Sequence, residues 1–193
     1  VPQPKEATIS ADKMNVVYRG VVNPMTISFA GVSDTDVTAS APGLSRASGP
    51  GKYNMSPGQG TEAVINVTAK LPGGKTASSK KVFRIKGIPA PVGTIGGEMY
   101  GAKGQKSRLA VSQIGAKLPD FDFDVNLTVT GFTFKAPGQA AVVVSGNRVN
   151  SQCEAAMARA SRGDAVTITD IKVRLEGSNI ILPRTAPIVY EIQ

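Results

Sequence analysis

The sequence predicts a mainly β chain: a β-sandwich domain followed by a second β-rich domain with two short helices. Three observations point there. Among 193 residues there are 21 Gly and 13 Pro, a supply of turn formers that leaves little room for long helices. Short β-branched runs recur with turn residues between them every ~8–12 positions, the rhythm of small sandwiches. Two longer runs, Glu62–Lys70 and Thr76–Lys86, alternate apolar and polar residues, the pattern of a strand with one buried face.

The first half supplies its strands in quick succession: residues 8–10, 15–18, 25–29, 36–39 and 53–55, then the two longer runs. Ile65, Val67 and Ala69 share one face, and Phe83 with Ile85 opposes Arg84 and Lys86. Leu71-Pro72-Gly73-Gly74-Lys75 joins the two long runs as a hairpin turn. Some seven strands of this kind predict an Ig-like sandwich over residues 1–86. Gly87-Ile88-Pro89-Ala90-Pro91 then reads as a short stiff linker over residues 87–91, because proline fixes φ and removes a donor.

Residues 92–193 form the second domain. Gly93, Gly96 and Gly97 lead into a short helix over residues 106–114, which holds Leu109, Ala110 and Ile114. A strand is expected over residues 121–134, where Phe121, Phe123, Val125, Leu127 and Val129 alternate with polar residues. Another follows over residues 140–145. Ser151-Gln152-Cys153-Glu154 matches a capping box, with Glu154 placed to reach back to the Ser151 N–H. The Ala-rich helix it opens is expected to end near Gly163. Strands over residues 165–175 and 188–192 complete the chain.

Charge and cysteine content narrow the function. The formal net charge is +8. Residues 1–86 carry eleven Lys and Arg against five Asp and Glu, and residues 87–193 carry eleven against nine. The basic excess sits mostly in the first half. Its one dense cluster is Lys80, Lys81, Arg84 and Lys86, which reads as the solvated face of a strand. Nucleic-acid binding is not expected, since aromatics are 5% of the chain and no aromatic-plus-basic strand motif is present. Cys153 is the single cysteine, so no disulfide forms within the chain. No apolar run reaches membrane-spanning length. The opening Val1-Pro2-Gln3-Pro4-Lys5 reads as a linker, and the chain as the C-terminal piece of a longer protein.

Catalytic constellations are sparse. Histidine is absent, which excludes Ser-His-Asp and Cys-His systems and removes the commonest zinc ligand. A Ser-Lys dyad survives composition but has no motif. Cys153 in an Ala-rich helix reads as a packed residue. Gly74-Lys75-Thr76 resembles the tail of a phosphate loop, but Ala69 stands where that loop needs glycine and strands flank it on both sides. Asp120, Asp122 and Asp124 resemble the start of a calcium loop that fails at Val125 and Gly131. They are expected on the outer face of a strand, as a weak cation site, a surface for a basic partner, or a charge-protected edge. No cofactor, metal or small-molecule substrate is expected.

Several phrases carry a family resemblance. Asn15-Val16-Val17-Tyr18-Arg19-Gly20-Val21-Val22-Asn23-Pro24-Met25-Thr26-Ile27 resembles the opening of an Ig-like domain of the GldM/PorM family. Phe83-Arg84-Ile85-Lys86-Gly87-Ile88-Pro89-Ala90-Pro91 looks like the junction of that family's last two domains. Ile95-Gly96-Gly97, Phe121-Asp122-Phe123-Asp124, Val129-Thr130-Gly131-Phe132, Gly163-Asp164-Ala165-Val166 and Asp170-Ile171 are similar to its terminal domain.

The resemblance implies a non-enzymatic, homodimeric, periplasmic scaffold of the type IX secretion and gliding motor of Bacteroidetes. Its full-length protein would be anchored in the inner membrane by an N-terminal helix. Its implied partners are a GldL/PorL-type membrane protein upstream, and the GldK/PorK lipoprotein and GldN/PorN ring at this end. The Asp120–Asp124 face and the helix region of residues 151–163 are the expected ring-facing surface. Two readings compete: a tandem Ig-like adhesin or carbohydrate-binding module, and an enzyme using lysine or carboxylate chemistry.

Overall fold

The computed structural model describes residues 7–11 and 15–193; the linker expected at Val1–Lys5 lies outside the described residues. The chain divides into two compact units, Val1–Ile88 and Pro89–Gln193, and each is built on its own pair of sheets.

Period-two patterning builds the first unit. Its strands are β1 (Ala7–Ala11), β2 (Val16–Tyr18), β3 (Asn23–Phe29), β4 (Val37–Ser40), β5 (Leu44–Arg46), β6 (Lys52–Met55), β7 (Glu62–Lys70) and β8 (Thr76–Lys86). One sheet runs β1-β3-β6-β5 and the other β2-β8-β7-β4. Every pairing is antiparallel except β2 with β8. In β7, Ala63, Ile65, Val67 and Ala69 are buried while Glu62, Val64, Asn66 and Lys70 are exposed. Those buried residues, with Val17, Val37 and Phe83, meet Ile9, Met25, Ile27, Phe29, Tyr53 and Met55 of the other sheet in one core. Two four-stranded layers closed on a shared apolar interior make an Ig-like β-sandwich. At the β7–β8 turn the Leu71 N–H donates to the Lys75 carbonyl at 2.7 Å. Strand β5 was not expected, because Leu44 is the one apolar residue in its three.

The second unit contains β9 (Val92–Ile95), β10 (Glu98–Met99), β11 (Gly101–Gly104), β12 (Ile114–Lys117), β13 (Leu127–Lys135), β14 (Val142–Ser145), β15 (Ala165–Leu175), β16 (Ile181–Leu182) and β17 (Ile188–Ile192), with helices α1 (Lys106–Ala110) and α2 (Ser151–Met157). A three-stranded sheet has the order β10-β9-β12, and a larger one the order β11-β17-β15-β13-β14, with β16 also on β15. It is a β-rich domain with two short helices, as expected.

Several details depart from the sequence reading. The strand predicted over residues 121–134 forms only from Leu127 onward. Pro119 offers no donor and Asp120 turns the chain with φ 57°, so the next residues never reach a ladder. The helix predicted over residues 106–114 stops at Ala110, and Ile114 instead opens β12 opposite Ile95. The capping box is displaced by one residue. Asn150 caps α2, its side chain accepting from the Cys153 N–H at 3.1 Å, and Ser151 is the first helical residue. That helix ends at Met157 rather than near Gly163. Gly163, at φ 94°, belongs to the turn before β15.

The glycines expected to lead into a helix build a hairpin instead. Gly96 and Gly97 both have positive φ, 57° and 82°, between paired Ile95 and Glu98, as a two-residue type I′ turn requires. A Cβ on Gly93 would fall 2.6 Å from Ile171 Cδ1, so this glycine lets β9 pack directly on the larger sheet.

Candidate interaction surfaces

Titratable groups with shifted proton affinity lie in the core. Burial pushes the Cys153 thiol up, opposed by hydrogen bonds with the backbone of Asn150 and of Cys153 itself. Burial likewise raises the Tyr190 phenol; Arg108 lowers it and Glu98 raises it further. The Tyr190 hydroxyl donates to the Gln105 carbonyl at 2.9 Å. Among the described residues no cluster of three or more His, Cys, Asp or Glu side chains could hold a metal ion.

Asp120, Asp122 and Asp124 are exposed, while Phe121, Phe123 and Val125 between them are half-buried. The alternation inferred from the sequence thus survives without a strand: the segment is sided, but unpaired with any sheet. The Phe121 and Phe123 rings pack at 5.0 Å between centroids. With Leu118, Val125 and Leu127 they line a shallow concavity from which all three carboxylates are absent. The expected carboxylate-bearing strand face is therefore corrected to an acidic loop whose aromatic side turns inward.

The basic cluster is divided by the pleat. Lys80, Arg84 and Lys86 are exposed on one face of β8, whereas Lys81 is half-buried on the other. Glu62 sits opposite Arg84. Between the cations, Val64 and Val82 pair across the strands at 39% and 49% exposure. The outer face of this sheet is a polar, solvated surface with one aliphatic pair at its centre.

The Asn23-Pro24 phrase proves architectural. Asn23 is 3% exposed. Its amide donates to the carbonyls of Tyr18 at 2.9 Å, Val21 at 3.1 Å and Met55 at 3.0 Å, and its oxygen accepts from the Tyr18 N–H at 2.8 Å. One buried side chain thereby closes the turn between β2 and β3 and fastens it to β6. Nothing in the sequence alone separated this role from a binding one.

Two β-sheet units in tandem, the first an Ig-like sandwich, define a modular β protein. A model of the GldM third domain matches residues 6–86, and one of the GldM C-terminal domain matches residues 89–193. The chain belongs to the GldM family, whose domains mark a component of the gliding and type IX secretion apparatus. The resemblance read from the motifs is borne out.

Among solved structures, the fibronectin(III)-like modules of Clostridium thermocellum CbhA share 13% identity over 96% of this chain and 94% of that chain, with a TM-score of 0.33. Domains 4 and 5 of the S-layer protein SbsC share 16% over 99% of each, with a TM-score of 0.34. Neither score supports an argument about this chain. No curated protein matches it.

Proposed function

We propose that this chain is a non-enzymatic periplasmic scaffold that carries force between an inner-membrane motor and a ring associated with the outer membrane. The observation behind this reading is the succession of a GldM third domain and a GldM C-terminal domain over the two units. The physical design suits the task. Each unit has its own sheets and its own buried core. Lys86 is tied into the first unit by the Arg19 N–H at 2.8 Å, and Pro91 into the second by the Ala186 N–H at 3.0 Å. Only residues 87–90 lie between these anchors, and Pro89 has a fixed φ. A tether this short has little slack to take up before tension passes from one unit to the next.

On this reading the protein is a homodimer whose upstream parts engage a GldL/PorL-type protein. Its second unit meets the GldK/PorK lipoprotein and GldN/PorN, with Asp120, Asp122 and Asp124 among the ring-facing residues. Deleting residues 89–193 from the full-length protein tests the assignment. Copurification with the ring should be lost while that with the GldL/PorL-type protein persists. Undiminished ring copurification would refute it.

A further inference from the structure

The larger sheet of the second unit carries a groove of about 730 Å³ across its outer face. Its floor includes Gly131 and Thr133 of β13; Val143 of β14 stands on one wall, and Ile181 and Arg184 on the other. These walls belong to β14 and to the β16 end, with β13 and β15 between them. Three strand intervals, about 14 Å at the usual spacing, separate them sideways, and the register sets Val143 level with Thr133 and Thr169 but Ile181 level with Arg174, so the groove runs obliquely across the strands.

Three independent features converge there. Val143 is 77% exposed and Ile181 68%, so an aliphatic side chain with little protein cover stands at each end of the groove. Exposure of this kind, repeated at both ends of one groove, suits an interaction site.

The backbone is the second feature. The β13–β15 register shifts on both sides of Gly131. Two non-glycine residues lining the groove are left-handed, Asp170 at φ 48° and Arg184 at φ 59°. Beside Arg184, the Thr185 hydroxyl oxygen is buried with no hydrogen-bond partner among the described residues. Backbone strain and unpaired polar atoms cluster where function demands them.

Charge is the third feature. Lys172 and Arg184 face one carboxylate, Asp170, around the groove, and among the described residues none of the three forms an ion pair.

We propose that this groove docks a segment of another protein presenting an apolar side chain flanked by a carboxylate. The apolar side chain packs on Val143 beside Gly131, where a Cβ would already sit 3.0 Å from the Val144 carbonyl oxygen and the missing side chain keeps the floor low, and the segment runs on towards Ile181. The carboxylate pairs with Arg184 and Lys172, and rotation of Thr185 adds a hydroxyl donor. Exposed aliphatic walls suit a protruding side chain of a macromolecule, and the surplus cation selects its charge. The site stands apart from the Asp120–Asp124 loop and does not depend on which protein the ring supplies.

The test places a photo-crosslinking benzophenone residue at position 143 or 181 of the full-length protein in its own cells, with position 64 as the control. Both groove positions should capture the same foreign segment, containing Asp or Glu within two residues of an aliphatic or aromatic side chain. A synthetic peptide of that segment should bind the purified chain, and Arg184→Glu should weaken binding at least ~10-fold. Arg184→Gly removes the cation and relieves the left-handed backbone, so affinity should fall while the melting temperature rises. No capture at either position, capture of a second copy of this chain, a segment without a carboxylate, or unchanged affinity in Arg184→Glu would each overturn the proposal.

Discussion

Replacing Asn23 by leucine removes four hydrogen bonds from a residue that is 3% exposed. A net contribution near 1 kcal/mol per bond sets the loss at ~4 kcal/mol. The Met55 carbonyl suffers most, because its bond to Asn23 is the fully buried one of the four. Leucine recovers some apolar contact in the same space, so the expected destabilisation is about 3–5 kcal/mol. That is a large share of the ~5–15 kcal/mol available to a domain. At ~4–8 °C per kcal/mol for a unit of this size, melting should fall by at least ~12 °C. Calorimetry measures the shift, and hydrogen exchange locates it: protection should drop around Tyr18 and Met55. A variant within ~1 kcal/mol of the wild type, or a loss of protection confined to the second unit, would refute the clamp.

Other consequences are equally open to measurement. A Cβ at Gly104 would stand 2.2 Å from the Tyr190 hydroxyl oxygen, so Gly104→Ala should drive that hydroxyl off the Gln105 carbonyl and destabilise the second unit by ~1–3 kcal/mol in chemical denaturation. The folded-state affinity of Tyr190 for its proton is raised, first by burial. Its contribution to stability is therefore full below the unfolded value near pH 10 and is lost as pH rises through the folded one. Tyr190→Phe should flatten the decline in melting temperature as pH rises above about 10; an unchanged slope would contradict this. Cys153 is fully buried, so a thiol reagent should modify it only at the rate of opening, and rapid labelling of the native protein would show the helix misplaced.

What was legible in the sequence followed from side-chain sidedness. Alternation in Glu62–Lys70 and Thr76–Lys86 specified which face of β7 and β8 enters the core, and their hairpin forms as read. The same alternation at Phe121, Phe123 and Val125 reported burial correctly but not pairing. Alternation records which side is wet, and ladder partners come from elsewhere in the chain. The Gly96-Gly97 pair carried a usable hairpin signal, two residues free to take positive φ between apolar and polar neighbours, yet it was read as a lead into a helix. At α2 the capping box is read at Ser151, but the Asn150 side chain, one residue earlier, captures the Cys153 N–H. The groove had no local signature. Gly131, Val143, Asp170 and Arg184 come from four separate segments brought together by non-local pairing.

The most direct test of the scaffold role is capture of this chain by an immobilised, purified ring complex of the GldK/PorK and GldN/PorN type, with light scattering on the chain alone. Dose-dependent, saturable capture together with a dimeric mass is the predicted result. A monomeric chain that the complex ignores at micromolar concentration would contradict it.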